Sequence, residues 1–206
     1  MSSAMPVPGL HLIRRGLELR SGAGELVGTV NRRPLSPFGE IRRWTDGKGA
    51  GSVKDMVATL DVRHSDGSAW FVFDKPKRSK EATVVLADGT PVGVIRSLLR
   101  WYHLNASFTR RYALIPATGP ELLAVRPLSE QEYAITGPGG ERMGGVTERL
   151  DTVLGWGGTP FGSTVEIWDE LKLNDVGLPQ TVQVLCIAFL CGYHCFDPRK
   201  SGYPPK

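Results

Sequence analysis

The sequence lacks the common signatures of catalysis. It has no G-x-S-x-G elbow, no phosphate-binding G-x-x-x-x-G-K-[S/T] loop and no H-E-x-x-H zinc motif. The four histidines, at positions 11, 64, 103 and 194, are far apart in the chain, and no catalytic triad can be assembled from their spacing. The sequence therefore predicts a protein that is not an enzyme, and no cofactor is implied.

Cysteine is scarce, and all of it lies near the C-terminus. Cys186, Cys191 and Cys195 are an odd, clustered set, which is not a disulfide framework and suits a reducing compartment. With His194 they are zinc-type ligands, but four ligands on one helix cannot easily surround a tetrahedral ion. We predict no metal site. The cysteines are expected to be small buried hydrophobes, and His194 is expected to cap helix carbonyls.

Long hydrophobic runs are also missing. No stretch reaches the roughly 18 uninterrupted apolar residues of a membrane-spanning helix. The N-terminal "MSSAMPVPGLHLIRRG" has no basic region followed by an apolar core, so no signal peptide is expected. These absences predict a cytoplasmic protein without a transmembrane span, with a peripheral position at a membrane as the second option.

Glycine is abundant, at 25 residues, and part of it forms a repeat. "GELVGTV" (24–30), "GTPVGVI" (89–95) and "GERMGGV" (140–146) share the pattern G-x-x-[V/M]-G-x-[V/I]. Each copy follows an alternating run and therefore predicts a β-hairpin. Gly28, Gly93 and Gly144 fall in the returning strands, where a glycine indicates a bulge or a close approach.

The pattern along the whole chain predicts a mainly β protein. Twelve short runs are strand-like: 10–15, 17–20, 25–31, 56–63, 69–74, 82–87, 92–101, 111–116, 121–126, 131–136, 142–148 and 163–168. Residues 52–60 could instead begin as a short helix. A four-bladed propeller is the alternative fold, but the unequal spacing of the repeats and an apolar terminal helix argue against it.

Residues 179–196, "PQTVQVLCIAFLCGYHCF", predict a helix that is apolar on all sides. Its apolar part spans roughly 22 Å, which is too short for a bilayer, so it belongs inside a protein core. We expect a closed antiparallel barrel of about twelve strands around this helix, with Leu185, Ala188 and Phe189 in the core. Residues 1–198 would form one domain, and residues 199–206 a flexible tail.

The hairpins "ADGTPVGVI" and "GPGGERMGGV" and the terminal "VLCIAFLCGYHCFD" resemble the tubby-like superfamily. Its phospholipid scramblase and LURP-one-related branches also carry such glycine hairpins and end in a short hydrophobic helix. The resemblance implies a barrel with a central hydrophobic helix and a function at lipid surfaces. The calcium-binding segment of scramblases is not matched by "WDELKLNDVGLPQ", and the phosphoinositide-binding Lys-x-Arg strand of tubby domains has only "DKPKRSK" as its nearest match.

Two basic segments are candidate ligand sites. Lys75, Lys77, Arg78 and Lys80 form a loop that could bind phosphate groups. Residues 100–112 interleave Arg100, Arg110 and Arg111 with aromatic residues such as Trp101. The alternative interpretation of the first segment is a solvated hairpin tip, and that of the second segment is two strands whose aromatic residues face the core. Residues 1–111 hold 18 Lys and Arg against 10 Asp and Glu, whereas the remainder holds 7 against 11.

These observations predict a non-enzymatic barrel that binds anionic phospholipid or phosphoinositide headgroups at a membrane surface. One alternative is a protein-interaction or structural barrel without a lipid ligand. A further alternative is calcium-independent lipid transfer or scrambling. Nucleic acid is not expected as a partner.

Overall fold

The structure, a computed structural model, describes residues 9–33, 58–76, 79–98, 111–118, 123–129, 131–153, 164–174 and 178–196. The strands are β1 His11–Arg15, β2 Glu18–Ser21, β3 Leu26–Arg32, β4 Ala58–His64, β5 Ala69–Lys75, β6 Glu81–Leu86, β7 Pro91–Ser97, β8 Tyr112–Pro116, β9 Leu123–Pro127, β10 Glu132–Thr136, β11 Arg142–Val153 and β12 Thr164–Leu173. The helix α1 spans Gln180–Gly192, and a short 3-10 helix, Tyr193–Phe196, follows it.

The strands form one closed antiparallel barrel. Each strand pairs with its neighbours in sequence, and β1 closes the barrel by pairing with β12 from His11 opposite Lys172 to Arg15 opposite Trp168. The predicted fold class is therefore confirmed. The strand over 92–101 was predicted too long, because β7 ends at Ser97, and β12 extends beyond the predicted 163–168 to Leu173. Of residues 52–60, where a short helix was the alternative, 58–60 belong to β4 and 52–57 lie outside the described residues.

Four hairpins have the same turn. In each, two backbone hydrogen bonds of 2.8–3.0 Å close a three-residue loop, and the last loop residue is a glycine with φ between 84° and 90°. This is a type I turn followed by a left-handed residue, which a glycine adopts without steric cost. The four glycines are Gly24, Gly67, Gly89 and Gly140. Three of them begin the sequence repeat, and Gly67 reveals a fourth copy.

A β-bulge follows each of these turns. The register shifts between β2 and β3, β4 and β5, β6 and β7, and β10 and β11, each time just before the fourth residue after the turn glycine. That residue is Gly28, Phe71, Gly93 or Gly144. A Cβ at any of the three glycines would collide with a carbonyl oxygen of the next strand. The predicted bulge and close approach are thus both present. The fourth copy does not match the sequence pattern, because Phe71 stands where the other copies have a glycine.

The up-and-down topology gives the barrel two different ends. The four glycine turns lie at one end, called here the hairpin rim. Strands β1 and β9 begin there and β8 and β12 end there, so segments 1–10, 117–122 and 174–179 adjoin strand ends at this rim. The opposite end is called the loop rim, and the connections 16–17, 33–57, 76–80, 98–111, 128–131 and 154–163 join strand ends there. Phe196, the last described residue, is also at the loop rim, because its ring lies 5.7 Å from the ammonium of Lys75, the last residue of β5.

Helix α1 lies inside the barrel. Residues 184 to 192 are all buried, so every face of the helix is covered by protein, and Leu185, Ala188 and Phe189 are 0% exposed as predicted. Rings from β8 and β10 pack against it, with Tyr112 centred 5.0 Å from Phe189. The helix thus occupies a lumen that twelve strands alone cannot fill. Among the described residues, no helix is both long enough and apolar enough to cross a bilayer.

Candidate functional site

Three charged side chains lie in one row inside the barrel. Arg14 of β1 is directly opposite Asp169 of β12, and Asp169 is directly opposite Glu148 of β11. Opposite residues of adjacent strands point to the same face, and Asp169 and Glu148 are only 4% and 8% exposed. Buried charges need partners, and the end of the central helix supplies them.

The helix end contacts this row through three groups. Arg14 Nη1 donates to the carbonyl of Cys191 at 2.7 Å, the Tyr193 hydroxyl donates to Asp169 Oδ1 at 2.6 Å, and His194 Nε2 lies 2.8 Å from Asp169 Oδ2. Burial acts to raise the pKa of Asp169, but the neighbouring His194, Arg14 and Tyr193 outweigh it and hold that pKa below its ordinary value. Burial, and then the charge of Asp169, raise the pKa of Tyr193 well above its usual range.

This cluster is explained best as the attachment of the helix to the barrel wall. His194 was expected to cap helix carbonyls, but Arg14 does this and His194 binds Asp169 instead. Donor atoms of Glu148, Asp169 and His194 lie within 4.8 Å of one another, as metal ligands do. However, the Tyr193 hydroxyl already donates to Asp169 and lies 3.4 Å from Glu148 Oε2. Arg14 also places a positive charge beside Asp169, so we assign no metal to the cluster.

The cysteines behave as buried apolar residues. Cys186 and Cys191 are 0% and 1% exposed, and burial raises the pKa of each thiol to about 12. Both are therefore protonated at neutral pH, whereas a metal ligand must be a thiolate. Cys195 is half-buried.

The outer wall of β10 to β12 carries a shallow groove of about 270 Å³. Its centre is Glu170, which lies 2.7 Å from His11 Nε2, 2.8 Å from Lys172 Nζ and 3.5 Å from Arg149 Nη2. Arg142 pairs with Glu132 at 2.9 Å beside it. Since acidic partners within the barrel wall hold these cations, the groove has little charge left to attract an anion.

The residues of the predicted basic loop do not share one position in the structure. Lys75 was predicted as a headgroup contact, but this is wrong, because its side chain is 0% exposed and points inward at the end of β5. Inward and outward positions alternate along a strand, and residue 75 falls on the inward set with Phe71 and Phe73. Lys80 is exposed at the loop rim, and Lys77 and Arg78 lie outside the described residues.

The two predicted basic segments meet at one corner of the loop rim. Ser97 donates its backbone N–H to the carbonyl of Lys80 at 2.8 Å, and the next residue, Leu98, donates to the carbonyl of Arg111 at 2.8 Å. Lys80, Leu98 and Arg111 are all exposed. Arg100, Trp101 and Arg110 belong to the connection between Leu98 and Arg111 and lie outside the described residues.

The connections at the two rims differ sharply in composition. Those at the loop rim, counted with the chain after Phe196, contain fourteen Lys and Arg against five Asp and Glu. Those at the hairpin rim contain no Lys or Arg and six acidic residues: Glu25, Asp66, Asp88, Glu121, Glu141 and Asp175. The loop-rim connections also hold eight aromatic residues: Phe38, Trp44, Trp101, Tyr102, Phe108, Trp156, Phe161 and Tyr203. The hairpin-rim connections hold none.

Sequence reasoning missed this polarity. The basic residues are concentrated in the connections 33–57, 76–80 and 98–111 and in the chain after Phe196, acidic hairpin turns come between these connections, and no local motif marks them. The connections divide into two sets, one for each end of the barrel, only once the strands are known to form an up-and-down barrel.

Comparisons of the chain with protein-family models, with curated proteins and with solved structures find no match.

Proposed function

We propose that this protein is a non-enzymatic barrel that binds anionic phospholipid headgroups at a membrane surface through its loop rim. The observation that carries the proposal is the difference in charged and aromatic residues between the connections that join strand ends at the two rims. Basic residues attract an anionic surface, each contributing on the order of 1 kcal/mol, and aromatic side chains suit the membrane interface. The acidic hairpin rim would be repelled by the same surface.

Described residues supply part of this basic surface. Arg15, Lys80, Arg111 and Arg126 are exposed near the loop rim. Of the acidic groups close to that rim, Glu18, Asp61 and Glu81 are each held in an ion pair with an arginine at 2.6–2.7 Å. Their charge is therefore compensated within the protein, which favours a net positive surface.

The tubby-like resemblance is consistent with this proposal and is kept as part of it. A barrel around a hydrophobic C-terminal helix is the architecture that the resemblance implies. We further propose a cytoplasmic, peripheral location, because the cytoplasmic leaflet is the anionic one and the free cysteines suit a reducing compartment. A phosphoinositide is one anionic headgroup that the surface would accept.

Co-sedimentation with vesicles tests the proposal. At low salt the protein should bind vesicles that contain phosphatidylserine or a phosphoinositide and should ignore pure phosphatidylcholine. The variant Lys80→Gln/Arg111→Gln/Arg126→Gln should bind about a hundredfold more weakly, because each charge corresponds to about a fivefold change. Adding Lys77→Gln and Arg78→Gln should weaken binding further.

A matched control removes the same charge from the other end of the wall. Arg63 and Lys172 are exposed near the hairpin rim, and neither pairs with a described acidic residue of the loop rim. Arg63→Gln/Lys172→Gln is therefore compared with Lys80→Gln/Arg111→Gln, and it should retain most of the binding. Equal losses in the two variants would point to non-specific charge attraction, and absence of binding by the native protein would leave the protein-interaction barrel as the better proposal.

A further inference from the structure

Exposed leucines concentrate at the loop rim. Four large hydrophobic residues are exposed in the described part of the chain: Leu17 (38%), Leu26 (39%), Leu98 (47%) and Leu128 (51%). Leu17, Leu98 and Leu128 are at the loop rim, and Leu26 is at the hairpin rim. A single exposed leucine is ordinary, but three at one end of a barrel form a pattern.

The three leucines are placed around the mouth of the barrel. Leu98 follows β7 and Leu128 follows β9, two strands away, whereas Leu17 is in the β1–β2 turn on the far side. The three leucines are therefore spread around one end of the barrel, and an end-on contact is the arrangement that would bring all of them to the same partner.

The backbone holds each leucine in place. The carbonyl of Leu17 accepts the Val30 N–H at 2.7 Å, Leu98 donates to the Arg111 carbonyl at 2.8 Å, and Leu128 donates to the Glu132 carbonyl at 2.8 Å. The backbone at each leucine is thus already ordered, so burial of these side chains against a partner does not require the backbone to be ordered at that moment.

Each leucine also has exposed cations beside it. Arg15 precedes Leu17 by two residues, Lys80 and Arg111 flank Leu98, and Arg126 precedes Leu128 by two residues. Leucine with adjacent Lys or Arg is the composition of surfaces that insert into the headgroup region of anionic bilayers.

We infer that the barrel docks end-on, with Leu17, Leu98 and Leu128 inserted into an anionic bilayer and the hairpin rim facing away. The inference rests on the proposed membrane function, and it adds the depth and the orientation of binding. Insertion makes part of the binding independent of charge, so that part persists at high salt, where surface attraction is screened.

Nitroxide labels measure insertion directly. Single reactive cysteines are placed by Leu17→Cys, Leu98→Cys or Leu128→Cys, each with Cys195→Ser. Cys186 and Cys191 are expected to stay unlabelled, because they are only 0% and 1% exposed. With phosphatidylserine-containing vesicles, all three labels should become more accessible to oxygen, which dissolves in lipid, than to a water-soluble nickel complex. A label at Leu26→Cys is the matched control and should stay accessible to nickel.

A binding measurement gives an independent readout. Leu17→Ser, Leu98→Ser and Leu128→Ser should each weaken vesicle binding about three- to tenfold, because roughly half of each side chain is available and full burial of a leucine corresponds to about a ten- to hundredfold change. Leu26→Ser should have no effect. The melting temperature should not change in any of these variants.

The outcomes separate the two proposals. Vesicle binding with rim labels that remain accessible to nickel, or with the Leu26 label immersed, would overturn end-on insertion and leave the membrane function standing. Absence of vesicle binding by the native protein would overturn both.

Discussion

The Tyr193 hydroxyl donates a hydrogen bond of 2.6 Å to the buried carboxylate of Asp169. The bond joins the end of the central helix to strand β12 and completes a network with Arg14 and His194. Through it, a helix that is otherwise held by apolar packing acquires a fixed depth in the barrel.

Tyr193→Phe should therefore destabilise the protein. The change removes one donor from a carboxylate that is 4% exposed, and a buried acceptor that loses a partner costs about 1–3 kcal/mol. Denaturant unfolding should show a lower midpoint with an unchanged slope. A midpoint equal to that of the native protein would show that this hydrogen bond does not hold the helix.

The same carboxylate predicts a pH dependence. The pKa of Asp169 in the folded protein is below its ordinary value, so the unfolded chain binds the proton more tightly. The stabilisation is thus complete above about pH 4 and is lost as the pH falls through the lower, folded pKa.

Asp169→Asn should remove this part of the pH dependence. The unfolding midpoint of the native protein should fall as the pH drops below about 4, and that of the variant should fall less steeply. Asp169→Asn should also be less stable at pH 7, since Arg14 loses the negative charge beside it. Parallel curves for the two proteins would contradict the assignment.

The glycine repeat predicts that a side chain at its second glycine destabilises the barrel. A Cβ at Gly93 would collide with the carbonyl oxygen of Ile115, a backbone atom that can move only if β7 and β8 separate. Gly93→Ala should cost about 1–3 kcal/mol, as overpacking does. Gly139→Ala is the control, because its Cβ would meet only the flexible carboxylate of Glu141. Equal melting temperatures for the two variants would remove the structural meaning of the repeat.

Sequence patterns predicted the fold well because its determinants are local or compositional. The twelve strands follow from alternation and turn residues, and the enclosed helix follows from an apolar run too short to span a bilayer. The Arg14–Asp169–Glu148 row could not be predicted, since its three residues meet only through the register of β1, β11 and β12. The inward direction of Lys75 was missed for a similar reason: the exact end of β5 decides it.

Because α1 lies inside the barrel, folding of the protein should depend strongly on one small residue of the helix, Ala188. Ala188 is 0% exposed, and Ala188→Arg would bury a charge that lacks a partner. We expect an insoluble protein or the loss of a cooperative melt, as for a chain ending at residue 178. Gln180→Arg, at an exposed position of the same helix, should fold normally. A chelator should not change the melting temperature of the native protein, since no metal is assigned to it. A soluble, cooperatively melting 1–178 fragment would show that the helix is not required by the barrel.

Hydrogen–deuterium exchange in the presence of vesicles distinguishes membrane binding through the loop rim from other modes of binding, because it reports on both ends of the barrel in one experiment. With phosphatidylserine-containing vesicles, exchange should slow in the loop-rim connections 33–57, 76–80, 98–111 and 154–163 and should not change in the hairpin turns 22–25, 65–68, 87–90 and 137–141. Phosphatidylcholine vesicles should produce no change at either end. Protection of the hairpin turns, or equal protection at both rims, would contradict the account.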